Sequence, residues 1–184
     1  MTDFRDQIDR LRGKWRYTGQ ERPDFALAPG PGQESVWEYP RPPRLQQDSR
    51  IIEVISDGVI IAKTGTAYRI METASPPTFY LPPQDVRLEL LEPAASASMC
   101  EWKGKARYFS IRLRGRLLRH AAWCYSEPFR GFEAIADYVS FYPSMLECYV
   151  DGERARPQPG GFYGGWVTAD VIGPCKGEPG TEWW

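Results

Sequence analysis

At 184 residues the chain is long enough for one domain with a substantial core and too short for two ordinary domains with a linker. Its 42% apolar and 14% aromatic content suffices to fold, while 17 glycines and 17 prolines imply many turns and few long helices, so the composition leans toward β structure. With 23 basic against 24 acidic residues the formal net charge is −1, which excludes the broad positive field of a non-specific nucleic-acid binder.

The start, Met1-Thr2-Asp3-Phe4-Arg5-Asp6, is charged and lacks an apolar stretch, and no apolar run approaches the ~18 residues of a membrane span. The expectation is a cytoplasmic protein with neither membrane nor nucleic-acid polymer as partner. Cys100, Cys124, Cys148 and Cys175 stand singly, with no C-x-x-C pair, and read as reduced thiols.

Phe4, Ile8, Leu11 and Trp15 recur at helical spacing and predict a short amphipathic helix docked on the main body. From Gly19 to Pro43, Pro and Gly disfavour both helix and ladder, which predicts an extended strap anchored by Trp37 and Tyr39. Ile51–Ile55 and Val59–Lys63 flank Asp57-Gly58, the pattern of a tight hairpin. Tyr68–Glu72 reads as a further strand ending at a Pro-rich corner, Ser75-Pro76-Pro77. Val86, Leu88 and Leu90 alternate with charged residues as a strand does.

After a small-residue loop, Ala94–Ser98, the alternation at Phe109, Ile111 and Leu113 and the turn at Arg114-Gly115 predict a second hairpin running to Tyr125. Phe132, Ile135, Ala136 and Val139 fall at i, i+3, i+4 and i+7 and predict one core helix ending before Pro143. Leu146, Cys148 and Val150 restore a strand up to Asp151-Gly152. The expected fold is mostly β: a compact antiparallel β-barrel or sandwich-like domain with one short core helix and a docked N-terminal helix. Residues 1–49 form the N-terminal helix and strap, 50–156 the β domain, and 157–184 a Gly- and aromatic-rich C-terminal strap.

Three segments resemble the successive signatures of domain-of-unknown-function family 427: Met71 to Val86, with its Ser75-Pro76-Pro77 and Leu81-Pro82-Pro83; Cys100-Glu101-Trp102-Lys103-Gly104-Lys105-Ala106-Arg107-Tyr108; and Ala121-Ala122-Trp123-Cys124-Tyr125. Phe141-Tyr142-Pro143 and Val150-Asp151-Gly152-Glu153 continue the match, so the resemblance spans Arg50 to Arg154. Gly13-Lys14-Trp15-Arg16 and the tail from Gly164 are similar to longer members, although Cys175 stands where an aromatic residue is expected. The resemblance implies a compact β-rich fold with a short helix. It implies no established activity: the family carries a nucleotidyltransferase-like label, but no Gly-Ser motif followed by paired metal-binding carboxylates is present.

Candidate chemistry is sparse. Cys100 lies beside Lys103 in a turn-like stretch, where an ammonium can activate a thiol; the plainer reading is a small buried cysteine and a solvated lysine. Glu72 ends an apolar strand and reads as a general base, a ligand anchor, or a tie for backbone amides of the Pro corner. These three are the candidate catalytic residues. Tyr80, Tyr108, Trp123 and Tyr125 lie on or beside strands as candidate ligand walls for a planar molecule, with core packing as the alternative. His120, the only histidine, alternates away from Trp123 and excludes multi-histidine metal sites, so no metal site is assigned and no cofactor is named. The functional expectation is a small-molecule-binding protein or enzyme with one polar pocket; the alternatives are an interaction module or homodimer formed through the C-terminal strap, and a nucleotide-handling protein.

Overall fold

The computed structural model describes residues 4–184. The first three residues of the charged start, and the side chain of Phe4 in the helical stripe, lie outside that description. The N-terminal segment forms α1 (Phe4–Arg12), with Asp6 in its first turn and Arg10 and Arg12 in its last, the order the helix dipole favours. Ile8 is buried, and Arg12 donates to the Glu101 carbonyl at 3.0 Å while its guanidinium sits 5.2 Å from the Trp102 ring centroid. The helix thus docks on the turn after Cys100.

The longer strands are β1 (Arg44–Asp48), β2 (Ile52–Ser56), β3 (Val59–Thr64), β4 (Ala67–Glu72), β5 (Ser75–Tyr80), β6 (Leu91–Cys100), β7 (Gly104–Leu113), β8 (Arg116–Cys124), β9 (Val139–Phe141) and β10 (Glu147–Val150). They form three antiparallel sheets, ordered β1-β4-β5, β3-β2-β10 and β6-β7-β8-β9, the second extended by Glu153–Arg154. None closes on itself, so the barrel alternative gives way to open sheets: closure needs the outer strands of a sheet to pair, and these do not. Leu81, just past β5, exchanges backbone hydrogen bonds of 2.8 and 2.9 Å with Val139. That bridge joins the first and third sheets into one wall.

Alternation along this wall feeds two apolar clusters. Phe79 and Ala122 enter the main core with Ile52, Ile61, Ile111, Phe141 and Trp166, while their neighbours Tyr80 and Trp123 point the other way, into a second cluster with Ile70, Trp102, Tyr125 and Ile135. The aromatic residues of that second face surround the site described below.

Both hairpin turns form as the sequence predicts, with positive φ at Asp57 and Gly58 and at Arg114 and Gly115. Trp37 and Tyr39 are buried strap anchors, and Trp37 donates its indole N–H to the Pro174 carbonyl at 2.9 Å. Four local expectations are corrected. The core helix shrinks to one 3-10 turn, Glu133–Ile135, because Ala136 bridges Tyr125, Asp137 gives its N–H to the Tyr125 carbonyl at 2.9 Å, and Val139 is taken into a strand. The alternating Val86–Leu90 stretch makes only one bridge, Val86 to Ala62, before turning into a 3-10 segment. The small-residue loop Ala94–Ser98 is part of β6, where Ala97 and Ser98 pair with Arg107 and Ala106. The Pro-rich corner lies within β5, because a register shift between Ile70 and Glu72 leaves Pro76 and Pro77 out of the ladder; the chain reverses at Thr73-Ala74 instead, with Ala74 at φ 65°.

Candidate functional site

Glu72, Tyr80, Cys100, Lys103, Tyr108, Trp123 and Tyr125 all line one cavity of about 240 Å³. Sheet register accounts for the convergence. On β4 and β5, Ile70 faces Thr78 and Glu72 faces Ser75. On β7 and β8, Tyr108 lies directly opposite Trp123. Ser98 and Cys100 share one face of β6, and the turn after Cys100 adds Lys103.

The aromatic walls are cross-linked. Trp123 donates its indole N–H to the Tyr80 hydroxyl at 3.3 Å, and its ring centroid lies 4.4 Å from that of Tyr142. The Tyr108 and Ser98 hydroxyls are 2.8 Å apart. Burial pushes the Tyr80 phenol up to about 12 despite the nearby Lys103, and burial likewise raises Tyr125 and Tyr142. These phenols are therefore neutral near pH 7 and available as hydrogen-bond donors.

The charged end centres on Glu72. Arg41 approaches its Oε1 with Nε at 3.2 Å and Nη2 at 3.1 Å, and Lys176 Nζ lies 3.7 Å from the same oxygen. Burial alone would raise this carboxyl, but Lys176, Lys103 and Arg41 together hold it below the usual carboxylate range. Glu72 is thus an ionised charge partner, poorly suited to take up a proton near neutrality, and its partners are side-chain cations rather than amides of the Pro segment. Desolvation opposes the charge on Lys103, yet the contact with Cys100 and the ionised Glu72 favour it, so Lys103 is held above its ordinary value and stays cationic.

Sequence reasoning did not find the residues that close the cavity. Trp15 enters from the N-terminal strap, donating to Glu101 Oε1 at 2.7 Å; Gln158, Tyr163, Gly164 and Lys176 enter from the C-terminal strap. Gly164 packs so tightly on Trp123 that a Cβ there would lie 2.1 Å from the indole. Lys176 is the sole basic residue in 157–184, a signal available in the sequence but not interpretable without the strap's path. The side chain is only 3% exposed, with Nζ 4.1 Å from the Trp15 ring centroid and 4.8 Å from that of Tyr163. All four cysteines are free thiols; Cys124 and Cys148 are buried.

A family profile described as Domain of unknown function (DUF427) matches residues 44–153, more than half of the chain. The chain belongs to the DUF427 family. Comparison with curated proteins finds no match. DUF427 carries a nucleotidyltransferase-type label, and the residues present do not fit the paired metal-binding carboxylates which that chemistry uses. Glu72 is tied to Arg41 and Glu101 to Trp15, and among the described residues no three His, Cys, Asp or Glu side chains are grouped to hold a metal. The DUF427 match also divides the site: all seven sequence-predicted residues fall inside it, while Trp15, Arg41, Gln158, Tyr163, Gly164 and Lys176 fall outside.

Proposed function

We propose that this DUF427 chain is a small-molecule-binding protein whose ligand occupies the cavity, its flat part against Trp123, Tyr142 and Tyr108 and its polar end toward Lys103, Cys100 and Glu72. The observation that carries the reading is convergence: several strands, one turn and both straps aim neutral aromatic walls and a charged end at one space. At about 240 Å³ the space falls below the ~300–1,000 Å³ common for drug-sized ligands, which favours a compact occupant over a nucleoside triphosphate. Cys100 beside Lys103, with the neutral Tyr80 hydroxyl near by, is a nucleophile and donor set that such a ligand would meet. Trp166 is buried against the main core and Trp184 packs 5.1 Å from Trp37, so these two strap aromatics are spent within the chain, whereas Phe162 and Trp183 are exposed; the convergence at the cavity is what ranks a pocket above a strap-mediated homodimer.

Tryptophan fluorescence titration with neutral flat probes, indole and benzamide, tests the reading. Saturable quenching that disappears in Ser98→Trp, a variant that fills the cavity, is the expected result. Equal quenching in the wild type and in a folded Ser98→Trp would remove the cavity from the account.

A further inference from the structure

The charged side chains that line the cavity are Lys103, Lys176, Glu72 and Glu101. Arg41 engages Glu72 and the Trp15 indole N–H donates to Glu101, so both carboxylates already have partners other than the two lysines. Buried charge is costly unless paired and hydrogen-bonded.

Among the three cations, spare hydrogen-bonding capacity lies with Lys176 and Lys103. Arg41 is fully engaged: Nε and Nη2 on Glu72, Nη1 on main-chain oxygens of Tyr17 and Trp184 at 2.8 and 2.7 Å, and Nη2 also on the Thr73 carbonyl at 2.8 Å. It ties both straps to the wall and has nothing left for a ligand. Lys176 differs. Its Nζ has only the Glu72 oxygen at 3.7 Å, beyond hydrogen-bond distance, and two ring faces; aromatic faces stabilise the charge but leave N–H donors open. Burial, Arg41 and Lys103 lower its proton affinity further than Glu72 and Glu101 restore it, as expected of a buried ammonium that shares its carboxylate partner with other cations. Lys103 lines the same space, hydrogen-bonded to Cys100 and sharing the Glu72 carboxylate, with ammonium donors to spare.

We infer that the ligand carries a compact oxyanion, a carboxylate or a phosphate, seated between Lys103 and Lys176 with its flat body directed at Trp123 and Tyr142. Resting on the reading of the cavity as a ligand site, this adds the ligand's charge and its polarity in the cavity. It also explains why a lysine from the strap, outside the family match, is buried here: Lys176 completes an anion seat that the β domain alone leaves half built.

The test compares three probes of one shape, benzoate, phenyl phosphate and neutral benzamide, by tryptophan fluorescence titration at fixed ionic strength. One of the anions is expected to bind at least about tenfold more tightly than benzamide, the scale of a hydrogen bond to a charged group, and the benzoate-to-phosphate ratio separates the two oxyanions. Lys176→Met and Lys103→Met should each erase that preference, so that the anions bind no more tightly than benzamide to the same variant. Benzamide binding as tightly as both anions in the wild-type protein overturns the inference and leaves the cavity as a ligand site. Anion preference surviving in both lysine variants overturns it too, since the anion would then sit elsewhere. Failure of all three probes to saturate removes the ligand site and the inference together.

Discussion

Arg41 and Glu72 form a buried ion pair, 3.1 Å from Nη2 to Oε1, with the arginine side chain 1% exposed and the glutamate 14%. The pair stands where three separate segments meet. Arg41 belongs to the N-terminal strap, Glu72 ends β4, and the same guanidinium holds a main-chain oxygen of Trp184 and lies 4.1 Å from the Trp15 ring centroid. Breaking one partner leaves the other charged and desolvated. Arg41→Leu should therefore cost about 3–5 kcal/mol in urea unfolding at pH 7. A loss below about 1 kcal/mol, the range of an exposed pair, would show that the pair does not tie the straps down.

Glu72 also sets a pH dependence. Its folded-state proton affinity lies below the ordinary carboxylate value, so the unfolded chain binds the proton more readily. The stabilisation from Glu72 is fully present above the usual carboxylate pKa and is lost as pH falls through the depressed folded value. Wild-type stability should consequently fall more steeply on acidification than that of Glu72→Gln, measured by thermal unfolding between pH 7 and 3. Parallel curves would contradict the assignment.

Cysteine labelling separates the site thiol from the structural ones. Cys100 is partly exposed and lines the cavity beside Lys103, whereas Cys148 is buried and burial raises its thiol far above the ordinary range; burial raises Cys175 to about 11. In the native protein iodoacetamide should modify Cys100 first, located by peptide mass, and Lys103→Ala should slow it by removing the adjacent positive charge. Labelling of Cys100 only after unfolding would make it a structural cysteine.

Gly164 offers a test of cavity geometry that leaves every charge in place. Its missing side chain is where the Trp123 indole lies, with Cζ3 2.8 Å from an added Cβ. Gly164→Ala should displace the strap or the indole, costing about 1–3 kcal/mol as overpacking does and shifting tryptophan emission. Unchanged emission and stability would mean that the strap does not press on Trp123.

Much of the fold is legible in the sequence because it depends on neighbours along the chain. Asp57-Gly58 and Asp151-Gly152 adopt the positive φ that Asp and Gly tolerate, Gly115 does so in the other hairpin, and the alternation at Phe109, Ile111 and Leu113 marks β7 directly. The periodicity at Phe132, Ile135, Ala136 and Val139 misleads for the opposite reason. Tyr125 and Cys124, on a strand formed earlier in the chain, recruit that backbone into bridges, and tertiary hydrogen bonds override a local helical pattern.

The site divides along the same line. Strand alternation places Glu72, Tyr80, Tyr108 and Trp123 on defined faces, and adjacency places Lys103 by Cys100, so those residue choices follow from the sequence. What the sequence by itself does not determine is which faces meet, since that rests on the Leu81 to Val139 bridge between two sheets. Nor does it determine that Lys176 arrives beside Glu72, because a strap rich in Gly and Pro has no periodicity that encodes its path. Only tertiary packing, through Trp166 in the core, Trp184 against Trp37 and Arg41 across both straps, brings that ammonium to the cavity.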